Sequence, residues 1–240
     1  MLYKNIINKT AKDKAQLAIL IDPDKHTSKT LKELVEIANN VNVSFFLVGG
    51  SIISNPVDFV IDEIKKQSNI PVILFPGSLL QISDKADGIL LLSLISGRNP
   101  EYLIGNHVTA APMLKKSKLE IISTGYILIE NSKITSIEYM SNTKPIPANK
   151  PDIAVATAIA GEMLGNKAIY LEAGSGAEQA VNSTMIEQIK ANINIPLIVG
   201  GGINSAHQAT ETINAGADII VIGTAAEKNP NFIVEIGELF

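Results

Sequence analysis

Eight short apolar runs alternate with segments of helical periodicity along 240 residues, and no Pro/Gly/Ser-rich linker interrupts them. Most of the runs are apolar at consecutive positions, as parallel strands covered on both faces are. These observations predict an α/β fold with one domain over 1–240, a (β/α)8 barrel of the TIM type, with a doubly wound open sheet as the alternative.

The elements follow in order. The opening MLYKNIINKTAKDK alternates Lys and Asn with apolar residues and has no signal-peptide core, so it does not point to export. Run 17–21 (LAILI) precedes an amphipathic segment at 28–40, and run 43–48 (VSFFLV) precedes another at 56–67. Run 71–75 (PVILF) is followed only by PGSLLQISDKAD, 76–87, which holds at most a short helical turn. A helix missing there leaves one side of the barrel uncovered, where an apolar ligand has room, unless the short loop has no consequence. Run 88–94 (GILLLSL) leads to a helix at 99–114. The long fifth run, 119–130, continues through NSK (131–133) into further alternation, which predicts a hairpin in which the strand doubles back. A helix at 151–164 then leads to run 168–172 (AIYLE) and a helix at 182–192. Run 196–200 (PLIVG) leads to a helix at 205–216, and run 218–223 (DIIVIG) to a C-terminal helix at 229–240.

Composition excludes several classes. The formal net charge is −4 and the lysines are scattered, so nucleic acid is not an expected partner. The chain has no cysteine, which rules out disulfides, thiol nucleophiles and thiolate metal sites and suits a reducing cytoplasm. Its apolar runs are about half of what a bilayer-spanning helix needs, so a soluble protein is expected.

Barrel function sits at the C-terminal ends of strands, and the turns after strands seven and eight often bind phosphate. VGGGINSA ends run seven and VIGTAAEK ends run eight. Gly200, Gly201 and Gly202 permit close backbone approach, Ser205 is placed to cap the next helix, and Gly223 with Thr224 repeats the arrangement. Tight packing is the other explanation of the glycines. YLEAGSG ends run six with Glu172, a general base, a hydroxyl-binding group or a capping acid. LIDPDKHT ends run one with Asp22 and Asp24, which suit either Mg²⁺ or a turn, and LVGGS adds Ser51. His26, His107 and His207 share no metal-ligand spacing; His107 and His207 are expected at the surface or in packing, and His26 lies near the acidic turn.

LIDPDK, LVGGS, YLEAGSG, VGGGI and GTAAEK, in this order from about Ile19 to Lys228, resemble the geranylgeranylglyceryl phosphate synthase family, which includes bacterial heptaprenylglyceryl phosphate synthases. The resemblance implies a modified TIM barrel whose third helix is replaced by a loop. It implies Mg²⁺-dependent transfer of a polyprenyl group, geranylgeranyl in the larger branch, from its diphosphate to the sn-3 hydroxyl of sn-glycerol 1-phosphate. It also implies a homo-oligomer, dimer or hexamer, with at most transient membrane contact. Asp22 and Ser51 match the metal positions; Tyr170, Leu171, Glu172, Ala173, Gly174, Ser175 and Gly176, together with Gly201, Gly202, Gly223 and Thr224, match the glycerol phosphate site. Some bacterial members carry a lysine two residues before the metal aspartate, where this chain has Leu20. A sugar-phosphate isomerase or aldolase, and a non-catalytic phosphate-binding barrel, are the competing readings of the same turns.

Overall fold

A computed structural model of the chain describes residues 1–12 and 14–240. Among them, eight parallel strands close into a barrel in chain order. They are β1 (Gln16–Ile21), β2 (Val43–Val48), β3 (Val72–Leu74), β4 (Gly88–Leu94), β5 (Glu120–Leu128), β6 (Ala168–Glu172), β7 (Leu197–Gly200) and β8 (Ile219–Ile222). β8 pairs back onto β1, with Ile222 opposite Ile19.

Side-chain alternation divides each strand between two apolar layers. On β6, Ala168 and Tyr170 fill the barrel interior with Phe45, Leu47 and Ile73, while Ile169 and Leu171 pack outward under the helices. The same parity turns Glu172 inward at the strand's C-terminal end, where it lies opposite Leu128 of β5 and Gly200 of β7.

The outer layer comprises α2 (Ser28–Asn39), α3 (Val57–Lys65), α4 (Asn106–Lys116), α6 (Pro151–Met163), α7 (Ser183–Lys190), α8 (Ala206–Asn214) and α10 (Asn231–Gly237), while the short α5 (Ser136–Ser141) and α9 (Thr224–Lys228) lie at the C-terminal mouth of the barrel. Side-chain caps start several of them, including Thr27 for α2, Asn182 for α7 and Ser205 for α8. Between β3 and β4 only a 3-10 turn, Leu79–Gln81, takes the place of a helix. The gap expected from the short 76–87 segment is therefore present.

Two features differ from the sequence expectation. First, α1 (Leu2–Thr10) closes the N-terminal end of the barrel. Its Ile6 is buried in the interior cluster beside Leu2 and Tyr3, and the Glu120 carboxylate at the start of β5 accepts from the Leu2 and Tyr3 N–H groups. Second, the hairpin at 131–133 does not form. β5 ends at Leu128, and Ile129 makes one isolated parallel bridge to Ile146. The Thr135 side chain then accepts from Glu138 N and starts α5, so a short alternating run gives way to a helix cap. Among the described residues no helix is long and apolar enough to cross a membrane.

Candidate active site

The C-terminal ends of the strands surround a cavity of about 750 Å³ that reaches from the turns after β6, β7 and β8 to the gap beside β4. Asp22, Ser51, Tyr170, Glu172, Ser175, Gly176, Gly201, Gly202, Gly223 and Thr224 all line it.

Glu172 is 6% exposed, and its Oε1 accepts from Gly174 N at 2.7 Å. Burial pushes the carboxyl up to about 7, against the pull of the Gly174 N–H and of the Tyr170 and Tyr126 hydroxyls. The two phenols are pushed well above their ordinary value, by burial first and then by the Glu172 charge. Tyr170 Oη is buried and makes no hydrogen bond of ordinary geometry among the described residues; its effect on Glu172 is that of a nearby dipole. A carboxyl poised near neutrality beside unfilled polar capacity is suited to taking a proton from a hydroxyl.

The glycine turn after β7 has reasons of its own. Gly201 and Gly202 have φ of +80° and +72°. A Cβ on Gly201 would lie 2.4 Å from Glu172 Oε1, and one on Gly202 would lie 2.1 Å from Gln179 O. Packing alone thus demands glycine at both positions, while the turn still presents its backbone to the cavity. Gly223 is different: a Cβ there would meet only Leu20 side-chain atoms at an ordinary 3.5 Å and beyond. No neighbouring atom crowds that position, and added bulk there would sit in the cavity wall.

The two aspartates of LIDPDK do different work. Asp24 accepts from Ser54 N at 2.7 Å and Asn55 N at 2.8 Å, and those two backbone contacts, Asn55 first, hold its carboxyl below the ordinary value. It ties the loop after β1 to the loop after β2. Asp22 uses Oδ1 to accept from Asp24 N at 3.0 Å, and its carboxylate lines the cavity beside Gly50 and Ser51. Gln81, buried in the 3-10 turn, fixes that neighbourhood: Oε1 accepts from Gly50 N and Gly77 N, and Nε2 donates to Gly50 O at 2.7 Å.

Glu227 of α9 also lines the cavity, raised by burial and then by the Asp22 charge, with Lys25 and Lys228 opposing. Among the described residues no three His, Cys, Asp or Glu side chains are grouped to hold a metal. One carboxylate and one hydroxyl, Asp22 and Ser51, are a poor set for zinc but fit Mg²⁺, which commonly takes one or two carboxylates plus substrate phosphates and water.

The other end of the cavity is apolar. Leu79, Ile82, Ile89 and Leu91 line it where the helix is missing, and Leu92, Leu94, Tyr102 and Ala110 continue the wall. His107 belongs to this wall, its Nε2 3.0 Å from Ser93 Oγ, and burial lowers its pKa. His207 is exposed beside Glu211, as expected, and His26 is not part of the lining.

A family model described as the PcrB family matches residues 9–238. The chain belongs to the PcrB family. Among members with curated names, it is 47% identical over 238 residues to the geranylgeranylglyceryl phosphate synthase of Chitinophaga pinensis, covering 99% of this chain and 94% of that one. It is 39% identical over 240 residues to the enzyme of the same name from Methanosphaera stadtmanae, covering 100% and 98%. Its fold superposes with a TM-score of 0.92 and 32% identity on (S)-3-O-geranylgeranylglyceryl phosphate synthase from Thermoplasma acidophilum in complex with sn-glycerol-1-phosphate, covering 99% and 97%.

Within this PcrB-family barrel not every expected residue turns its side chain to the cavity. Leu171 and Ala173 pack on the outer, helix-facing layer, and Gly174 serves Glu172 through its N–H; none of these three lines the cavity. The structure adds Phe75, Tyr126, Gln81, Lys25, Glu227 and Lys228. Of these, Lys25, Glu227 and Lys228 sit within the quoted LIDPDK and GTAAEK motifs, so the sequence carries a signal for them; Gln81, a lone amide in an apolar segment, carries a weaker one.

Proposed function

We propose that the chain transfers a polyprenyl group, geranylgeranyl first among them, from its diphosphate to the sn-3 hydroxyl of sn-glycerol 1-phosphate. The observation that carries this is a single cavity that joins a buried carboxyl poised near 7 and backbone turns at one end to an apolar groove at the other. An isomerase or aldolase of small sugar phosphates has no use for the groove.

In this reading the glycerol phosphate lies against the turns at Ser175, Gly176, Gly201, Gly202, Gly223 and Thr224, whose N–H groups face its phosphate. Glu172 orients the attacking hydroxyl and takes its proton. Asp22 and Ser51 hold Mg²⁺, which when bound supplies positive charge to the leaving diphosphate. Lys25 and Lys228 add cations at the same rim, beside the half-buried Glu227. The prenyl tail lies along Leu79, Ile82, Leu91 and Leu92, and this burial holds the allylic carbon beside the hydroxyl. The donor partitions into membranes, so transient bilayer contact at the groove mouth accompanies the reaction.

The test is to incubate the protein with Mg²⁺, labelled glycerol phosphate of either handedness and allylic diphosphates of about ten to thirty-five carbons, since each buried methylene adds about 0.8 kcal/mol to partitioning. Label entering the organic phase from the 1-phosphate alone supports the reading. No extractable label with any donor refutes it, and equal use of both enantiomers refutes the proposed pocket.

A further inference from the structure

Between the turns that face the glycerol phosphate and the groove that takes the tail stand three aromatic rings from three strands. Phe75 follows β3, Tyr126 is on β5 and Tyr170 on β6, and all three line the cavity. Phe75 stacks on Tyr170 with ring centroids 5.2 Å apart and planes 27° apart. Tyr126 is tilted against both, at 5.2 Å from Tyr170 and 6.1 Å from Phe75. Tyr170 is fully buried and Tyr126 is 6% exposed, so the half-buried Phe75 is the ring with most surface left for a ligand.

A carbon that is to meet a hydroxyl held by Glu172 while its tail lies beside Leu91 and Leu92 must pass over this cluster. Aromatic faces carry negative potential and no reactive lone pair, so they attract a cation without capturing it. The two phenols are held protonated by burial and are poor nucleophiles.

Resting on the prenyl-transfer reading, we propose that the Phe75–Tyr126–Tyr170 cluster is the surface that stabilises the allylic cation, with Phe75 presenting the ring face nearest the reacting carbon. The allylic C–O bond breaks with its electron pair leaving on diphosphate. The glycerol oxygen donates a pair to the carbon, and its proton passes to the Glu172 carboxylate. Phe75 is then a specificity and rate determinant that no acid, base or metal assignment includes.

The experiment replaces Phe75 with phenylalanines bearing one, two and three ring fluorines, which keep its shape and withdraw charge from its face. Turnover falls stepwise, by roughly tenfold or more across the series. In parallel, calorimetry compares a prenyl ammonium with the prenyl alcohol of equal length. Phe75→Leu weakens the ammonium roughly tenfold and leaves the alcohol within about twofold. A flat fluorine series with product still formed, or equal weakening of both ligands, overturns the cation role and leaves prenyl transfer standing. Absence of product from the unsubstituted protein with every donor overturns the transfer reading and this proposal with it.

Discussion

Glu172→Gln separates chemistry from architecture at the centre of the site. Glutamine keeps a carbonyl oxygen for Gly174 N, so the turn after β6 is retained while the basic oxygen is lost. With a carboxyl at about 7, the ionised share rises from about a tenth at pH 6 to about nine-tenths at pH 8, and wild-type kcat/KM rises roughly tenfold across that window. The variant loses about 10²- to 10⁴-fold in kcat and does not show that rise, while its affinity for glycerol phosphate changes little. Its own pH profile also reports any titration that belongs to the substrates' phosphates. The stability effect has the opposite sign. A carboxyl raised from 4.5 to about 7 makes the folded state bind the proton more tightly than the unfolded chain does, so wild-type stability declines from about pH 4.5 to about pH 7 and levels above. At about 1.4 kcal/mol per pH unit, ionising buried Glu172 costs roughly 3 kcal/mol, so Glu172→Gln gains up to about that much at pH 8 and little at pH 4. For a chain of this size that is roughly 5–10 °C in Tm, readable by thermal denaturation at the two pH values. Near wild-type turnover, or a Tm difference independent of pH, refutes the assignment.

Three further outcomes follow from the geometry. Asp22→Asn raises the Mg²⁺ concentration needed for half-maximal rate and weakens diphosphate binding while sparing glycerol phosphate; loss of glycerol phosphate binding alone reverses the two subsites. Gly223→Val weakens glycerol phosphate in calorimetry and lowers Tm less than Gly202→Val does, because the Gly202 Cβ meets Gln179 O and its φ is left-handed while a Gly223 Cβ meets only ordinary contacts; equal Tm losses remove the distinction between them. Leu91→Trp narrows the groove beside the missing helix and moves the preferred donor to a shorter chain, and an unchanged donor profile places the tail elsewhere.

The eight strands were legible because a strand covered on both faces reads as a continuous apolar run, and the missing helix because twelve residues cannot hold one and both turns. Glu172 and Asp22 were legible as carboxylates at the ends of such runs. What separates Asp22 from Asp24 was not, since Asp24 is claimed by backbone groups thirty residues away in the next loop. α1 escaped for the same reason: it buries mainly Ile6, and its N-terminus is held by Glu120 across more than a hundred residues. The glycines of the seventh turn marked the right place with half the reason, because their neighbours Glu172 and Gln179 come from another strand and loop. Phe75 looked like one more apolar residue at the end of a run until the rings of β5 and β6 were placed against it.

The central claim is that the glycerol oxygen attacks the allylic carbon and diphosphate leaves intact, and oxygen labelling tests it directly. The protein is given sn-glycerol 1-phosphate carrying ¹⁸O only in its sn-3 hydroxyl, with unlabelled geranylgeranyl diphosphate, and both products are analysed by mass spectrometry. The account predicts that the ether product retains the label in full and that the released diphosphate carries none. An unlabelled lipid product, or ¹⁸O in the diphosphate, contradicts it.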